Sequence, residues 1–458
     1  HQLTINQRPL AATVARQYDG TKTAAGSDLS SFDALQGGET LTLSGSGTVG
    51  DENVANGQGI TLGTLALVDG TGLASNYSLN SASLNITERV LNSSGSKTYD
   101  ANTNALAGAI TLSNLVSGEA LNHSGTATIS SANAGSYTIT NLAGITIADG
   151  SGGTASNYTL TGGTHNFTVN RRVVGVSGTR LYDATTNAVA SDLSTHTNLV
   201  GTETLNLSGT GTIASKNVGS NKTVSVGTLA LADGSNGGLA ANYTLSGGTH
   251  QLTVNQRPLN ATIQRIYDGG LNANGSDLSS FDALQGGETL TLSGSGTVGD
   301  ENVANGQGVT LGSLALVNGT GLASNYSLNS ASLNITKRVL NSSGSKTYDA
   351  NTDALAGAIT LSNLVSGEAL NHSGTATIGS ANAGSYTITN LAGITIADGS
   401  GGTASNYTLT GGTHNFTVDR RAVSVSGTRL YDATTNAVAS DLSTHANLVG
   451  SETLNLSG

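Results

Sequence analysis

Residues able to do acid–base, nucleophilic or ligand chemistry are scarce in this chain, and most of them recur in columns. Among 458 residues there are 18 Lys and Arg, 29 Asp and Glu, 8 His and no Cys. Twelve of the 18 basic residues hold fixed positions relative to a Tyr-Asp pair. Ten residues before the Tyr stand Arg8, Arg89, Arg172, Arg257, Arg338 and Arg421. Two residues before it stand Arg16, Lys97, Arg180, Arg265, Lys346 and Arg429. The pair itself is Tyr18-Asp19, Tyr99-Asp100, Tyr182-Asp183, Tyr267-Asp268, Tyr348-Asp349 and Tyr431-Asp432. A later acidic column holds Glu39, Glu119, Glu203, Glu288, Glu368 and Glu452. A planar guanidinium in such a column can tie a neighbouring segment through a carboxylate or through carbonyls. The same column could instead present a row of sites for acidic sugars or sulfates. The structural assignment is the simpler one. Tyr packs its ring in a small core with its hydroxyl satisfied locally, and Asp starts a turn by accepting from backbone N–H groups.

Catalysis finds little support in these residues. His123, His165, His196, His372, His414 and His445 read as isolated loop residues, with no second column at metal-ligand spacing. Gly-x-Ser-x-Gly matches carry no information in a chain with 63 Gly, and no strand-turn-helix context accompanies them. Calcium has weak candidates in Asp51-Glu52-Asn53 and Asp300-Glu301-Asn302, but calcium takes 6–8 oxygens and the cousin loops lose the acids. No other cofactor is expected. An isopeptide staple fails as a general device, because the Lys97 and Lys346 column is Arg elsewhere. The net charge of −11 argues against binding nucleic-acid backbone. No apolar run approaches the ~18 residues of a membrane span. Without Cys there is no disulfide framework.

The elements that must position these columns are repeats. Residues 26–59 recur without change at 275–308, an offset of 249 that holds to the end of the chain. Within that period the Tyr-Asp pairs are spaced by 81, 83 and 85 residues, and an Asn-Tyr pair follows each complete one. Its members include Asn76-Tyr77, Asn157-Tyr158 and Asn242-Tyr243. The expected organisation is residues 1–7 as the last strand of a preceding unit, then units at 8–88, 89–170, 171–256, 257–337 and 338–419, and a truncated unit at 420–458. The chain starts and stops out of phase with its own repeat, so the array is expected to continue on both sides.

Each unit reads as a small β-sandwich with its own hydrophobic interior, leaning on the next. Units near 83 residues lack a coil-by-coil sub-period, and short strands alternate with Gly, Ser, Asn and Asp clusters. In the second unit strands are expected at 110–112, 127–129, 137–140, 145–147, 158–160 and 167–169. No helix shows both caps and periodicity. The fold class is therefore all-β: a tandem array of small β-sandwiches forming an elongated rod. At roughly 40 Å per unit, five units would extend about 200 Å. The Asn-Tyr pair opens a late strand, with Asn closing the turn before it. Tyr99-Asp100, Tyr182-Asp183 and their partners 249 residues on are followed by Ala rather than Gly. Ala disfavours a positive φ, so a different turn is expected there.

Tyr-Asp-Gly/Ala, the Gly-Glu-Thr-Leu segment at 38–41, Ala/Ser-Asn-Tyr and a closing Leu-Thr-Val strand together resemble the YDG repeat and the related MBG repeat. These occur in large bacterial surface proteins, the filamentous-haemagglutinin-like adhesins exported by two-partner secretion. The resemblance implies Ig-like beads in an adhesin stalk, and it implies no catalytic residues. Absence of Cys, Met and Trp also suits an exposed extracellular fibre. The expectation is a non-enzymatic stalk, secreted or at the cell surface, whose partners are its own neighbouring repeats. Lateral association with like chains and binding of extracellular polysaccharide are the alternatives.

Overall fold

The computed structural model describes residues 1–458 and is all-β apart from three-residue 3-10 turns. Contacts divide it into two compact units. One is His1–Thr179 with Asn187–Ala214 and Asn221–Leu252; the other is Thr253–Gly458 with Arg180–Thr186 and Ser215–Ser220.

The first repeat shows how the chain is built. Its strands are β1 (Arg8–Gln17), β2 (Thr23–Ala25), β3 (Leu29–Phe32), β4 (Leu41–Ser44), β5 (Ser46–Thr48), β6 (Ala55–Gly59), β7 (Ala66–Asp69) and β8 (Tyr77–Thr87). A four-stranded sheet has the order β3-β1-β8-β6, and the ladders β2-β5 and β4-β7 complete the repeat. The first and last strands run parallel in the middle of that sheet, from Arg8 opposite Tyr77 to Gln17 opposite Thr87. Alternation along both strands buries Leu10, Ala12 and Val14 with Ala82, Leu84 and Ile86, as one-sided burial requires. Ala12, Val14, Ala82, Leu84 and Ile86 meet Ala24, Leu43, Val49, Ile60 and Leu65 in one core, while Leu10 packs with Leu41 and Tyr77 in a smaller one.

The second repeat varies the plan. Its strands are β9 (Arg89–Val90), β10 (Asn92–Thr98), β11 (Asn104–Leu106), β12 (Ile110–Ser113), β13 (Asn122–Ile129), β14 (Gly135–Asn141), β15 (Ile145–Ala148), β16 (Tyr158–Thr159) and β17 (His165–Asn170). All six strands expected here form. The first–last pairing is again parallel but interrupted: β9 pairs β16 and β10 pairs β17. Gly162, at φ 86°, and Gly163 cause the break, where the first repeat has a continuous strand. The second unit repeats both patterns at 257–336 and 338–419.

Three expectations need correction. Residues 1–7 form no strand, although the equivalent His250–Asn255 does; a strand without a ladder partner does not persist. The interiors are not closed repeat by repeat. The core of the first repeat takes in Leu91 and Tyr158 of the second, with Leu112, Val116 and Leu121 packed against them. The core at 261–335 likewise takes in Leu340 and Tyr407. A sandwich of ~80 residues has a thin core of its own, and sharing a core enlarges it.

The third correction concerns the turn after Tyr-Asp. Ala101, Ala184, Ala350 and Ala433 adopt φ of 62°, 64°, 64° and 61°, beside 74° at Gly20 and 73° at Gly269. The turn is the same, and Ala accepts the left-handed conformation at a cost of about 1–2 kcal/mol. Ala101→Gly is expected to stabilise the chain by about 0.5–1 kcal/mol, the strain relief less the entropy of Gly in the unfolded chain. Gly20→Ala is expected to destabilise it by more, because its Cβ would also stand 2.9 Å from Val116 Cγ1. Urea midpoints measure both.

Candidate functional site

The recurring columns converge on joints between successive repeats. Strand pairing puts them there. The backbone N–H of Tyr18 donates to the Thr87 carbonyl at 2.9 Å, so the triplet lies where the closing strand leaves the repeat. Tyr99, Tyr182, Tyr267 and Tyr348 do the same to Asn170, Asn255, Thr336 and Asp419.

The first joint shows the chemistry. The Tyr18 hydroxyl donates to Glu119 Oε1 at 2.6 Å, and the Tyr158 hydroxyl donates to Glu119 Oε2 at 2.6 Å. One carboxylate thus binds a tyrosine from each repeat. The rings meet edge to face, 5.4 Å between centroids at 78°, the arrangement aromatic quadrupoles favour. The Tyr158 hydroxyl also accepts from the Val116 N–H at 3.0 Å. Asn157, fully buried, accepts from the Val54 N–H at 2.9 Å and donates to Asn53 Oδ1 at 2.7 Å. Arg89 reaches back to the Tyr18 carbonyl at 3.3 Å while binding the carbonyl and side chain of Asn114 at 2.6 and 3.0 Å. Asn114 holds that position in a left-handed conformation, φ 69°.

The same set recurs. Glu203 accepts from Tyr99 and Tyr243 at 2.7 and 2.5 Å. Glu368 accepts from Tyr267 and Tyr407 at 2.6 Å each. Tyr348 donates to Glu452. Asn242 and Asn406 repeat the contacts of Asn157. Arg172, Arg338 and Arg421 repeat those of Arg89. At Glu288 a cation joins: Tyr182 and Tyr326 donate at 2.7 and 2.9 Å, and Lys216 Nζ binds at 2.6 Å while lying 5.9 Å over the Tyr182 ring. Burial opposes ionisation of Glu288, but the bonds from Lys216 and the two tyrosines outweigh it and lower its pKa.

The second basic column acts inside its own repeat. Arg16, Arg180 and Arg265 pair with Asp19, Asp183 and Asp268, and Lys97 pairs with Asp100 at 2.8 Å. Asp19 also accepts from the Thr21 N–H at 2.9 Å, so it starts the turn as expected. The tyrosine hydroxyl is not satisfied locally. It crosses to the next repeat, where Glu119 accepts it. Lys346 and Asp349 repeat the Lys97 pair at 2.9 Å. Arg8 binds the Ala34 carbonyl and Arg257 binds the Tyr182 carbonyl.

The histidines are strand residues rather than loop residues. His165 begins β17, buried between Ser93 Oγ at 2.9 Å and the Leu160 carbonyl at 2.8 Å, and His414 matches it. His123 in β13 faces the Ala107 and Ile110 carbonyls. His196 and His445 sit in the short strands Thr195–Thr197 and Thr444–Ala446. The calcium candidates do not converge. Asp51 and Asp300 accept from Asn53 and Asn302, and Glu52 faces Lys22 at 3.5 Å. Glu301 joins no cluster of three metal-ligating side chains. The sequence shows the Glu column without a role, and Asn53 and Asn302, weighed there as part of calcium loops, are the partners of Asn157 and Asn406. The signal was present: a lone acid at fixed phase in a charge-poor chain needs a fixed partner.

A family model for the YDG domain matches residues 2–84, 82–165, 168–251, 249–334 and 333–415. No curated protein matches. Among solved structures, the Bacillus anthracis TIE protein is 7% identical, with 84% of this chain and 74% of that one covered at a TM-score of 0.16. A superposition that weak bears on neither fold nor function.

Burial and the adjacent carboxylate push Tyr99, Tyr158, Tyr243, Tyr267, Tyr326 and Tyr407 up to about 12, and Tyr18 higher. A raised folded-state value means full stabilisation below the unfolded value near pH ~10 and progressive loss above it. Urea midpoints are expected to hold from pH ~8 to ~10 and then fall towards pH ~12, with tyrosinate absorbance rising together with unfolding. At fixed pH, a double-mutant cycle of Tyr18→Phe and Glu119→Ala should give a coupling of about 1.5–3 kcal/mol, as for a hydrogen bond to a charged acceptor.

Proposed function

Because the chain belongs to the YDG domain family through five successive domains, we propose that it is a non-enzymatic spacer, the repetitive stalk of a secreted or cell-surface bacterial adhesin. The joint supports this reading most directly. Four of the recurring columns fasten one repeat to the next, and the second basic column is taken up by the Asp of its own repeat. Both tyrosines, the glutamate, the buried asparagine and the first arginine column all bind protein groups. What such a sequence repeats is a connection, and what repetition of a connection changes is length. A stalk holds a distal binding region away from the surface that carries it, and so mediates attachment to cells, surfaces or matrix.

Two other roles compete. Lateral association would use exposed sheet edges such as β3 and β6. Polysaccharide binding would need groups other than the Arg172 column, whose guanidinium is occupied by Asn198 and the Tyr99 carbonyl.

Small-angle scattering distinguishes them. The chain is compared with a variant lacking residues 10–258, one full 249-residue period that leaves the repeat phase intact. The stalk reading expects single particles whose maximum dimension falls roughly in proportion to the residues removed. Bundles in both proteins, or an unchanged dimension, would overturn it. Retention on a glycan array would favour the polysaccharide role.

A further inference from the structure

We infer that each repeat carries a second function, bearing tension along the chain, and that the parallel pairing of its first and last strands is the clamp. The inference rests on the fold and goes beyond the stalk reading.

In the first repeat, the chain enters at Arg8 and leaves at Thr87. Arg8 lies opposite Tyr77, and Gln17 lies opposite Thr87. Entry and exit are therefore at opposite ends of one ladder. A pull on the two ends slides β1 and β8 past each other along their length. Every bond of the ladder is strained together, and none can be released ahead of the rest. Had the two strands been antiparallel neighbours, entry and exit would share one end, and the same pull would peel the bonds singly.

Three further features fit a clamp. Both strands are central in the order β3-β1-β8-β6, so neighbouring strands shield their bonds from water on either side. Val14 and Leu84 are fully buried, and Ala12 and Ile86 nearly so, so sliding would also drag apolar side chains through a close-packed core. The Tyr18 N–H to Thr87 carbonyl bond extends the ladder beyond β1 itself.

The clamp comes in two strengths. In the first repeat the ladder is unbroken apart from one register shift after Leu10, and 257–266 against 326–336 copies it. In the second repeat it divides into a short piece, Arg89–Val90 on Tyr158–Thr159, and a longer one, Ser93–Thr98 on His165–Asn170. The second repeat should yield at lower force, letting an array extend by one kind of repeat before the other.

Forced unfolding reads the unfolding rate rather than the equilibrium stability. The full chain has no Cys, so introduced thiols attach handles only where placed. Leu3→Cys with Glu88→Cys loads the first repeat along the ladder, and Leu3→Cys with Asn80→Cys peels it from the Arg8 end. Glu88→Cys with Arg171→Cys loads the second repeat along its ladder. All four positions are exposed, and Thr4→Cys replaces Leu3→Cys should that variant lose its far-UV signal. At one loading rate, the expected rupture force along the first ladder is several-fold the peeling force, with the second repeat between them. Equal forces in the along-ladder and peeling geometries would overturn the clamp. That result would leave the scattering test of the stalk untouched, and a collapsed particle would leave the force ratio untouched.

Discussion

A carboxylate shared by two tyrosine hydroxyls is the interaction on which the rest of the structure turns. A charge withdrawn from water needs donors to replace the water it loses. Tyrosine meets that need while adding apolar area, because its ring belongs in a core and its hydroxyl ends in a hydrogen bond. Glu119 therefore sits beside the core that the two repeats share, with Tyr18 and Tyr158 edge to face next to it. The fully buried Asn157 beside it has both ends of its amide paired as well, to the Val54 N–H and to Asn53. Polar satisfaction and apolar burial thus coincide, and neither repeat supplies both halves.

Topology decides where that joint falls. Since first and last strands run parallel, the Tyr-Asp turn that follows the first strand lies beside the exit of the last. The next repeat begins there within two residues, at Arg89. Its guanidinium turns back to the Tyr18 carbonyl while holding Asn114. The sharing of core follows from the same placement, with Leu91 and Tyr158 entering the first repeat's interior.

Much of this was legible in the sequence. Recurrence alone locates Tyr18, Asp19, Arg89 and Asn157, and the turn role of Asp19 and the strand opened by Tyr158 follow from residue chemistry. What stayed hidden was long-range or contrary to local preference. The partner of Tyr18 lies 101 residues away in Glu119, a distance that single-repeat reasoning does not cross. The strand Asn92–Thr98 reads Asn-Ser-Ser-Gly-Ser-Lys-Thr, with almost no strand-forming residues. It exists because its neighbours supply the apolar surface: a Cβ on Gly95 would stand 2.8 Å from the Phe167 ring and 2.3 Å from the Ala109 carbonyl. The left-handed Ala101 likewise defied its intrinsic preference, because the turn is fixed by its Asp and by the strands on either side.

Each complete repeat carries one half of a joint at its exit and the complementary half for the joint before it, in the same phase. Glu119 and Tyr158 receive Tyr18, while Tyr99 of that same repeat is received by Glu203 and Tyr243. Gain or loss of a whole 249-residue period therefore leaves no unmatched surface, so the array can change size only in quantised steps that folding tolerates.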